Sequence, residues 1–471
     1  MKKIVVVVAV LVSLFVVGAV VAQTVSYNSG FQVQNLETNT ANIVVSFYQQ
    51  NGTVAASSAY TISGSSSRTF FPITDVAAGF NGSVVISSDR NVRAVNNLVG
   101  SGPANYFATT NGFQSGATSV SLPLIMCNNS GFDTWFNVQN AGSADANITI
   151  NYVPGSNGTA QSETAVVKPG AAKTFDQKTG SSTRNCSTMA DGTSKFIGSA
   201  KITSDQPIVA AVMQLNTGSF RVLMGYGGFT AGSPTVALPL VMANNSGFYT
   251  GMQIQNTGAT TTTVTVDYSA NTAGANNPTD ETFSLAPGAS KTILQSGPTP
   301  ANGSINDWST FGKYIGSATI TNSANEPLVA IVNQVRASPA LGNAYEGFDP
   351  ATATNQASSP LIMANNSTYY TGIQVQNVDT GNVAVTISYG PNTAGSFAPA
   401  AETFTLTAGS SKTIIQNGSF PANGSTVNNW GTNKYIGSAT ITANGKVVAI
   451  VNQVSLSVSG DQFAAGDAFN Y

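Results

Sequence analysis

The residues of this chain that could carry out chemistry are few. Its 471 residues include no histidine, two cysteines and three tryptophans. Without an imidazole, the chain cannot build a Ser-His-Asp or Cys-His nucleophile, a His-ligated zinc site or an imidazole acid-base catalyst. A net charge of -2 provides neither a basic surface for nucleic acid nor a strongly acidic tail. We therefore expect no enzyme activity, no cofactor, no metal site and no nucleic-acid partner.

The two cysteines, Cys127 and Cys186, predict a disulfide. An even number of cysteines in an exported chain favours a bridge over two free thiols, which are the alternative. The bridge would close a loop of about 60 residues and would stabilise the fold by about 4 kcal/mol in the chain-entropy description.

The three tryptophans, Trp135, Trp308 and Trp430, are candidate glycan platforms, because a flat indole face can stack on a sugar ring. Packing in the core or under a loop is the competing interpretation, since tryptophan buries a large apolar area.

The N-terminus predicts export. Lys2 and Lys3 precede an apolar run that begins at Ile4, and the small residues up to Ala22 are typical of a signal peptide that is cut before Gln23. An uncleaved anchor is the alternative, because the apolar segment is nearly long enough to span a bilayer. No later stretch approaches 18 apolar residues, so we expect a secreted protein with no membrane span in its mature chain.

One phrase occurs four times along the chain. The copies of this phrase are Phe31–Asn35, Phe136–Asn140, Met252–Asn256 and Ile373–Asn377. A second phrase follows each of them, at Phe80–Ser83, Phe196–Ser199, Tyr314–Ser317 and Tyr435–Ser438. Units of about 110 residues are long enough to bury their own cores. The predicted organisation is a signal peptide at 1–22 and four domains at 23–120, 121–236, 237–357 and 358–471, called copies one to four below.

Each copy shows the apolar period of β-strands. In copy three, Val264, Val266 and Tyr268 alternate with polar residues, which predicts strands with one buried and one solvated face. Turn signals separate seven or eight such segments in each copy. The chain is therefore predicted to be all-β, with four tandem antiparallel β-sandwich domains after the signal peptide.

The repeated motifs also resemble a known class of module. The order of an N-T-G turn at Asn256, an alternating T-V-x-V-x-Y strand and the L-A-P-G-A-S-K-T segment from Leu285 to Thr292 resembles Ig-like sandwiches of bacterial surface proteins, of the CARDB or fibronectin-III-like kind. The L-P-L-[VI]-M segments are similar to tandem repeats of secreted proteins in filamentous bacteria. The resemblance implies Ig-like domains and brings no catalytic motif with it.

Copies two to four open with an extra apolar strand that copy one lacks. The candidate assembly residues in these opening strands are Leu122, Leu124, Met126, Leu238, Leu240, Met242, Leu361 and Met363. Their proline indicates an edge position, because proline cannot donate to a sheet ladder. Copy one is then either a shorter terminal cap, or a unit whose open edge is completed by another subunit through strand addition.

Two further patterns concern surface chemistry. Asn128, Asn244 and Asn365 stand in N-x-S/T sequons at the same place in three copies and are candidate glycosylation sites, although such triplets also arise by chance in this composition. No pair of carboxylates recurs through the copies, so the two-acid arrangement of glycoside hydrolysis is not expected.

Together these patterns predict a non-enzymatic extracellular structural subunit of a cell-surface layer, sheath or filament. Only 8% of the chain is charged, so exposed Thr, Asn, Ser and Gln can join neighbouring subunits without charge repulsion. The expected partner is a second copy of the chain. The alternative function is an adhesin or carbohydrate-binding protein that uses the three tryptophans on cell-wall or surface glycans.

Overall fold

The computed structural model describes residues 6–10, 25–102, 104–178, 195–218 and 220–470, and it describes side chains from residue 25 onward. These residues form strands and no helix, and all the strand pairs are antiparallel, which confirms the all-β prediction. Among them, no helix is long and apolar enough to cross a membrane. The chain divides into two compact units, Met1–Ala231 and Gly232–Tyr471. Each unit contains two sandwiches, which we call copies one to four from here on, and their first strands begin before the predicted starts, at Val6, Ala117, Val236 and Thr354.

Copy one is a sandwich of two four-stranded sheets, ordered β1-β6-β3-β4 and β5-β2-β7-β8. Its strands are β1 (Val6–Val10), β2 (Ser26–Asn35), β3 (Ala41–Gln49), β4 (Val54–Ile62), β5 (Ser67–Phe70), β6 (Gly82–Ser88), β7 (Val92–Ser101) and β8 (Asn105–Asn111). In every copy we call the sheet that carries the Gly-Ser phrase the first sheet, and the sheet that carries the repeated Gln-Asn phrase the second sheet.

Copy two has the same arrangement, but one long strand belongs to both sheets. Its strands are β9 (Ala117–Cys127), β10 (Phe132–Asn140), β11 (Ala146–Asn157), β12 (Gln161–Val167), β13 (Ala172–Asp176), β14 (Phe196–Asn216) and β15 (Val222–Gly227). The first part of β14 pairs with β9 and β11, and its second part pairs with β10 and β15.

Copy three again has two separate sheets, ordered β16-β21-β18-β19 and β20-β17-β22-β23. Its strands are β16 (Val236–Ala243), β17 (Phe248–Asn256), β18 (Thr262–Tyr268), β19 (Glu281–Leu285), β20 (Ser290–Leu294), β21 (Tyr314–Asn322), β22 (Leu328–Arg336) and β23 (Leu341–Glu346). Asn325 adopts a left-handed backbone with φ of 57° in the turn between β21 and β22, where copy two continues as one strand.

Copy four repeats the arrangement of copy two, with β29 shared between its sheets. Its strands are β24 (Thr354–Ala364), β25 (Tyr370–Asn377), β26 (Val383–Tyr389), β27 (Glu402–Leu406), β28 (Ser411–Ile415), β29 (Tyr435–Val454), β30 (Phe463–Asp467) and β31 (Phe469–Asn470).

The core of each sandwich forms from the alternating residues of its two sheets. In copy three, Val264 and Val266 of β18 share one buried cluster with Met252 and Ile254 of β17. The intervening residues of β18 face outward, as the period of two predicts. Each fully buried aliphatic side chain of this kind stabilises the fold by about 1.5 to 3 kcal/mol.

Buried tyrosine hydroxyls predict a fold that is sensitive to alkali. Burial raises the pKa of Tyr435 to about 12 and also raises the pKa of Tyr268 and Tyr345 above the ordinary value. A folded-state pKa above the unfolded value means that the stability is complete below the unfolded pKa, near 10, and falls as the pH rises. We expect the urea midpoint to fall between about pH 10 and 12, with tyrosinate absorbance appearing together with loss of sheet circular dichroism. Full tyrosine ionisation in a chain that keeps its sheet signal would contradict this.

Candidate assembly surfaces

The opening strands lie at the same place in copies two to four. β9 pairs with β14, β16 with β21 and β24 with β29. The register is also the same, because Val120 is opposite Ile202, Val236 is opposite Ile320 and Ala357 is opposite Ile441. The opening strand therefore forms the outer strand of the first sheet in each of these copies.

In copy one, β1 takes the position of the opening strand. Val8 is opposite Ile86 and Val10 is opposite Val84, which matches the register of the other three pairs. The strand that copy one lacks after Gln23 is thus supplied by residues that the sequence assigns to the signal peptide. The sequence predicted this segment as a leader or an anchor, and its pairing as a strand was not expected.

The candidate assembly residues are packed inside their own copies. Seven of the eight are buried, namely Leu122, Leu124, Met126, Leu238, Leu240, Met242 and Met363, and Leu361 is partly exposed. Their proline lies in an irregular step of the register, between Leu122 and Ile125 in β9. A bulge at this point needs no donor from the proline. These strands complete their own sandwiches, so in this structure they are not free donors for another chain.

The second edge of each opening strand is also used. Phe229 forms a bridge to Ser121 and Phe348 forms one to Ala237, and Phe469 of β31 pairs with Ser358. The last residues of copies two to four therefore return to this edge and cover part of it.

A threonine ties each opening strand to the second sheet. Thr134 Oγ1 accepts from the Met126 amide at 3.1 Å and donates to the Met126 carbonyl oxygen at 3.0 Å. In copy two the hydroxyl therefore satisfies both backbone groups of the methionine inside the sandwich. Thr250 and Thr371 accept from the Met242 and Met363 amides in the same way. Their hydroxyl hydrogens lie between the methionine carbonyl oxygen and a closer acceptor, Gln295 Oε1 or Gln416 Oε1 at 2.8 Å.

Copy one has Ser29 at the position of these threonines, two residues before Phe31. Ser29 is 5% exposed, and its buried Oγ has no hydrogen-bond partner among the described residues. The residues after Val10 that would continue the opening strand lie outside the described ranges. A buried hydroxyl without a partner costs about 1 to 3 kcal/mol, so this atom marks where a strand backbone belongs.

The two copies of each unit meet in a repeated contact, which we call the copy joint. In the first unit, Ser83 Oγ donates to the Gly170 carbonyl oxygen at 2.5 Å, and Gln139 Nε2 donates to the same oxygen at 3.0 Å. In the second unit, Ser317 Oγ donates to the Gly409 carbonyl oxygen at 2.7 Å, and Gln376 Nε2 donates to it at 3.2 Å. The Gly-Ser strand of one copy thus docks on the glycine turn and the repeated glutamine of the next.

Apolar packing supports the copy joint in both units. In the first unit, Leu98 and Tyr106 of copy one form a cluster with Trp135 and Leu223 of copy two. In the second unit, Leu341 of copy three packs with Phe463 of copy four. The joint is therefore a mixed interface, with an apolar cluster on one side and carbonyl hydrogen bonds on the other.

The tryptophans do not present open ring faces. Trp308 and Trp430 are fully buried, where they pack against Tyr268 and Tyr389 respectively. Trp135 is 7% exposed and lies against Tyr27 in the copy joint. A glycan platform needs a ring face open to solvent, so the glycan-platform prediction fails here, and the packing interpretation describes all three rings.

A buried glutamate recurs in copies two to four and was missed in the sequence. Glu163, Glu281 and Glu402 are opposite Ile150, Val266 and Ile387 and point into the sandwich. Glu402 accepts from Ser425 Oγ at 2.6 Å, from the Thr426 amide at 2.5 Å and from Asn428 Nδ2 at 2.8 Å. These bonds hold the long loop before β29 against the sheet. The repeated E-T dipeptide in the sequence was the available signal.

The glutamates come with a tyrosine in the adjacent strand. Tyr152 donates to Glu163, and Tyr268 donates to Glu281 at 3.4 Å. Copy one has Phe47 at the tyrosine position and Ser58 at the glutamate position, so the two members change together. This covariation fits a structural pair, because either member alone would leave a buried polar group without its partner.

Two of the predicted glycosylation asparagines use their side chains inside the fold. Asn244 Nδ2 donates to the carbonyl oxygens of Trp308 and Gly312, at 3.0 and 2.8 Å. Asn365 Nδ2 donates to Gly431 and Asn433, both at 2.8 Å. An attached glycan would replace one hydrogen of this nitrogen, so modification would compete with loop anchoring. Asn128 has the same left-handed backbone, with φ of 51° against 48° in the other two.

The predicted disulfide lies only partly within the described residues. Cys127 is fully buried at the end of β9, and its Sγ lies 3.3 Å from the Gln177 carbonyl oxygen. Cys186 lies outside the described residues, so the bridge stays a prediction. Within the described ranges, no group of three or more Cys, Asp or Glu side chains is arranged to hold a metal ion.

Comparison with known proteins adds little to this description. No family model matches the chain, and no curated protein matches it. Among solved structures, the chain is similar to a Thermotoga maritima protein, "Crystal Structure of Thermotoga maritima 1070", with 18% identity over 24% of this chain and 94% of that chain. The TM-score is 0.20, so the similarity carries no argument about fold or function.

The buried glutamate gives a stability prediction. Every group around Glu402 is a donor, so the amide of Glu402→Gln would place its own N–H groups against donors. We expect this variant to lower the free energy of unfolding by about 2 to 3 kcal/mol in urea denaturation. The matched control is Asp145→Asn, because the exposed carboxylate of Asp145 pairs with Lys168. This substitution should change the free energy of unfolding by about 1 kcal/mol or less. Equal effects of the two substitutions would contradict the structural role of Glu402.

Proposed function

We propose that this protein is a non-enzymatic, secreted structural subunit that assembles head to tail into a cell-surface layer, sheath or filament. Copy four of one chain binds copy one of the next, through the same contacts that form the copy joint inside each unit. The Ig-like identity of the modules, export through the predicted signal peptide and the Cys127–Cys186 bridge belong to this proposal.

The observation that carries the proposal is that both halves of the copy joint recur, uncovered, in the terminal copies. On the strand half, Ser83 and Ser317 are fully buried, whereas Ser438 of copy four is partly exposed. Pro360 and Leu361 beside it are also partly exposed, whereas the equivalent residues of copies two and three are buried. Copy four therefore displays an open surface with the composition of a joint.

In copy one the turn of this half is open, whereas Gln34, the equivalent of Gln139, is 6% exposed. Ser65 adopts the left-handed backbone of Gly170 and Gly409, with φ of 55° against 72° and 71°, so its carbonyl oxygen occupies the corresponding place in the turn. Ser67 is exposed, while its equivalents Ala172 and Ser411 are 5% exposed. The open surfaces of copies one and four match the copy joint, which is already formed once in each unit. A second copy of the chain is therefore the partner that fits them.

The interface type explains why low charge suits this function. A joint between two different surfaces of the same molecule is heterologous and continues into an open polymer unless rotation closes a ring. Carbonyl and amide hydrogen bonds hold such a joint without the like-charge repulsion that separates highly charged monomers.

Two variants test the polarity of assembly. Ser67→Arg blocks the turn half in copy one, and Leu361→Arg blocks the strand half in copy four. In sedimentation velocity at concentrations where the unmodified chain polymerises, we expect each variant alone to stay monomeric. A mixture of the two should form dimers and stop, because one functional joint remains between them.

The control for this pair is Val166→Arg, which places the same charge on an exposed apolar position of β12 outside the joint. This variant should polymerise as the unmodified chain does. Polymers from either blocked variant, or a chain that stays monomeric at every concentration, would contradict the proposal.

A second candidate function rests on a cleft in the second unit. The cleft has a volume of about 650 Å³ and is lined by Phe248, Tyr370 and Phe463 together with the amides of Gln334, Gln374 and Asn452. Aromatic faces beside amide groups suit a saccharide, and the volume lies in the range of ligand pockets. The alternative function is therefore an adhesin or carbohydrate-binding protein in which this cleft, and not the tryptophans, binds the glycan.

A glycan array with the unmodified chain and Tyr370→Ala tests this alternative. A saccharide that binds the unmodified chain and is lost on Tyr370→Ala would favour it. Absence of any saccharide preference would exclude it and would leave the assembly proposal unaffected, since Tyr370 is not part of the two open joint halves.

A further inference from the structure

We propose that the outer edge of β6 in copy one, together with Ser29, is a strand-accepting site. In the full chain, Val6–Val10 occupies it. In the form that lacks residues 1–22, it binds an extended peptide segment with the pattern of the opening strands, supplied by another protein chain. This deepens the proposed function, because a strand donated in trans is a second way of joining chains.

The first support is the register. The Val8–Ile86 pair of copy one corresponds to Val120–Ile202, Val236–Ile320 and Ala357–Ile441 in the other copies. Four different segments thus occupy one structural position against four related strands. All four segments pair in this one register, so the edge of β6 accepts a strand in a defined position.

The second support is the unsatisfied hydroxyl of Ser29. In copies two to four, the equivalent threonine accepts from the amide of a methionine in the opening strand and lies within hydrogen-bond distance of its carbonyl oxygen. Ser29 Oγ is buried and has no partner among the described residues. Val10 is opposite Val84 as Leu122 is opposite Ala200, and Met126 lies four residues after Leu122. The Ser29 hydroxyl is therefore positioned for the backbone N–H and C=O of the fourth residue after the one that pairs with Val84.

These features define the chemistry of the ligand. It is an extended chain that forms antiparallel backbone hydrogen bonds with β6, so its affinity comes mainly from the main chain. Its specificity comes from apolar side chains at nearly every position, because the equivalent strands of copies two and three are buried on both faces. The segments that already fill this position show the pattern, with Val or Ala opposite the isoleucine in all four copies.

Removal of the leader would change the state of this edge. With Val6–Val10 in place, the first sheet of copy one has four strands, and without it β6 becomes an edge with unpaired amides and carbonyls. An unpaired edge is a template for another strand. Signal cleavage would then open the site after export, which prevents strand addition inside the cell.

The test uses hydrogen exchange read by mass spectrometry on two forms, the full chain and the chain that begins at Gln23. In the shorter form, we expect the amides of β6 to exchange faster. The equivalent strands β14 and β21, whose opening strands are intact, are internal controls and should not change. A synthetic peptide of residues 234–243 should restore protection of β6, and the same peptide with Val236→Asp and Leu238→Asp should not.

Fluorescence anisotropy with the labelled peptide measures the affinity and the role of Ser29. Ser29→Ala should weaken peptide binding by about 3- to 10-fold, while Ser29→Thr, the residue found in the other copies, should retain it. The full chain should bind at least 10-fold more weakly, because its own strand occupies the site. If the shorter form is unfolded alone, the peptide should restore its sheet circular dichroism.

Three results would overturn the inference. The first is that the β6 amides are as protected in the shorter form as in the full chain. The second is that the aspartate peptide binds as tightly as the unmodified peptide. The third is that the shorter form is unfolded and the peptide does not restore its fold. The measurement is separate from the assembly test, because it is made on monomers at low concentration and does not involve Ser67 or Leu361. A chain that does not polymerise but whose shorter form binds the peptide would contradict only the copy joint. A chain that polymerises but whose shorter form does not bind the peptide would contradict only the strand-accepting site.

Discussion

Each sandwich in this chain depends on one antiparallel pairing, between its opening strand and the strand that carries the Gly-Ser phrase. This pairing closes the first sheet and covers core residues such as Ile202 and Ile320, which are fully buried. A threonine hydroxyl then ties the opening strand to the second sheet. Since a sheet edge left unpaired exposes backbone groups to other chains, the way this edge is filled decides whether a copy is self-sufficient.

Buried polar groups hold the long loops of the copies against their sheets. In copies two to four, a glutamate and a tyrosine occupy neighbouring inward positions, and in copies three and four loop hydroxyls and amides surround the carboxylate. Copy one has Phe47 and Ser58 at these positions. Polar networks of this kind are stable only when every member has a partner, which explains why the whole set changes together.

Much of the fold could be predicted from the sequence, because the repeats and the alternation at Val264, Val266 and Tyr268 report directly on buried and exposed faces. The opening strands were also visible as L-P-L-[VI]-M segments. The role of Val6–Val10 could not be seen, since an apolar run after two lysines has the same pattern in a leader and in a strand. Glu402 was missed because a charged residue in a strand is ordinarily solvated. The copy joint relies on backbone carbonyls such as that of Gly170, which no side-chain pattern reveals.

Copies one and four each display one open half of the copy joint. We propose that the chain binds its neighbours through the same contacts that join its own copies. The most direct test of this central claim is negative-stain electron microscopy of secreted material over a range of concentrations. The account predicts filaments or sheets whose repeating unit is one chain in a single orientation. Uniform, separate particles at the highest concentration would contradict it.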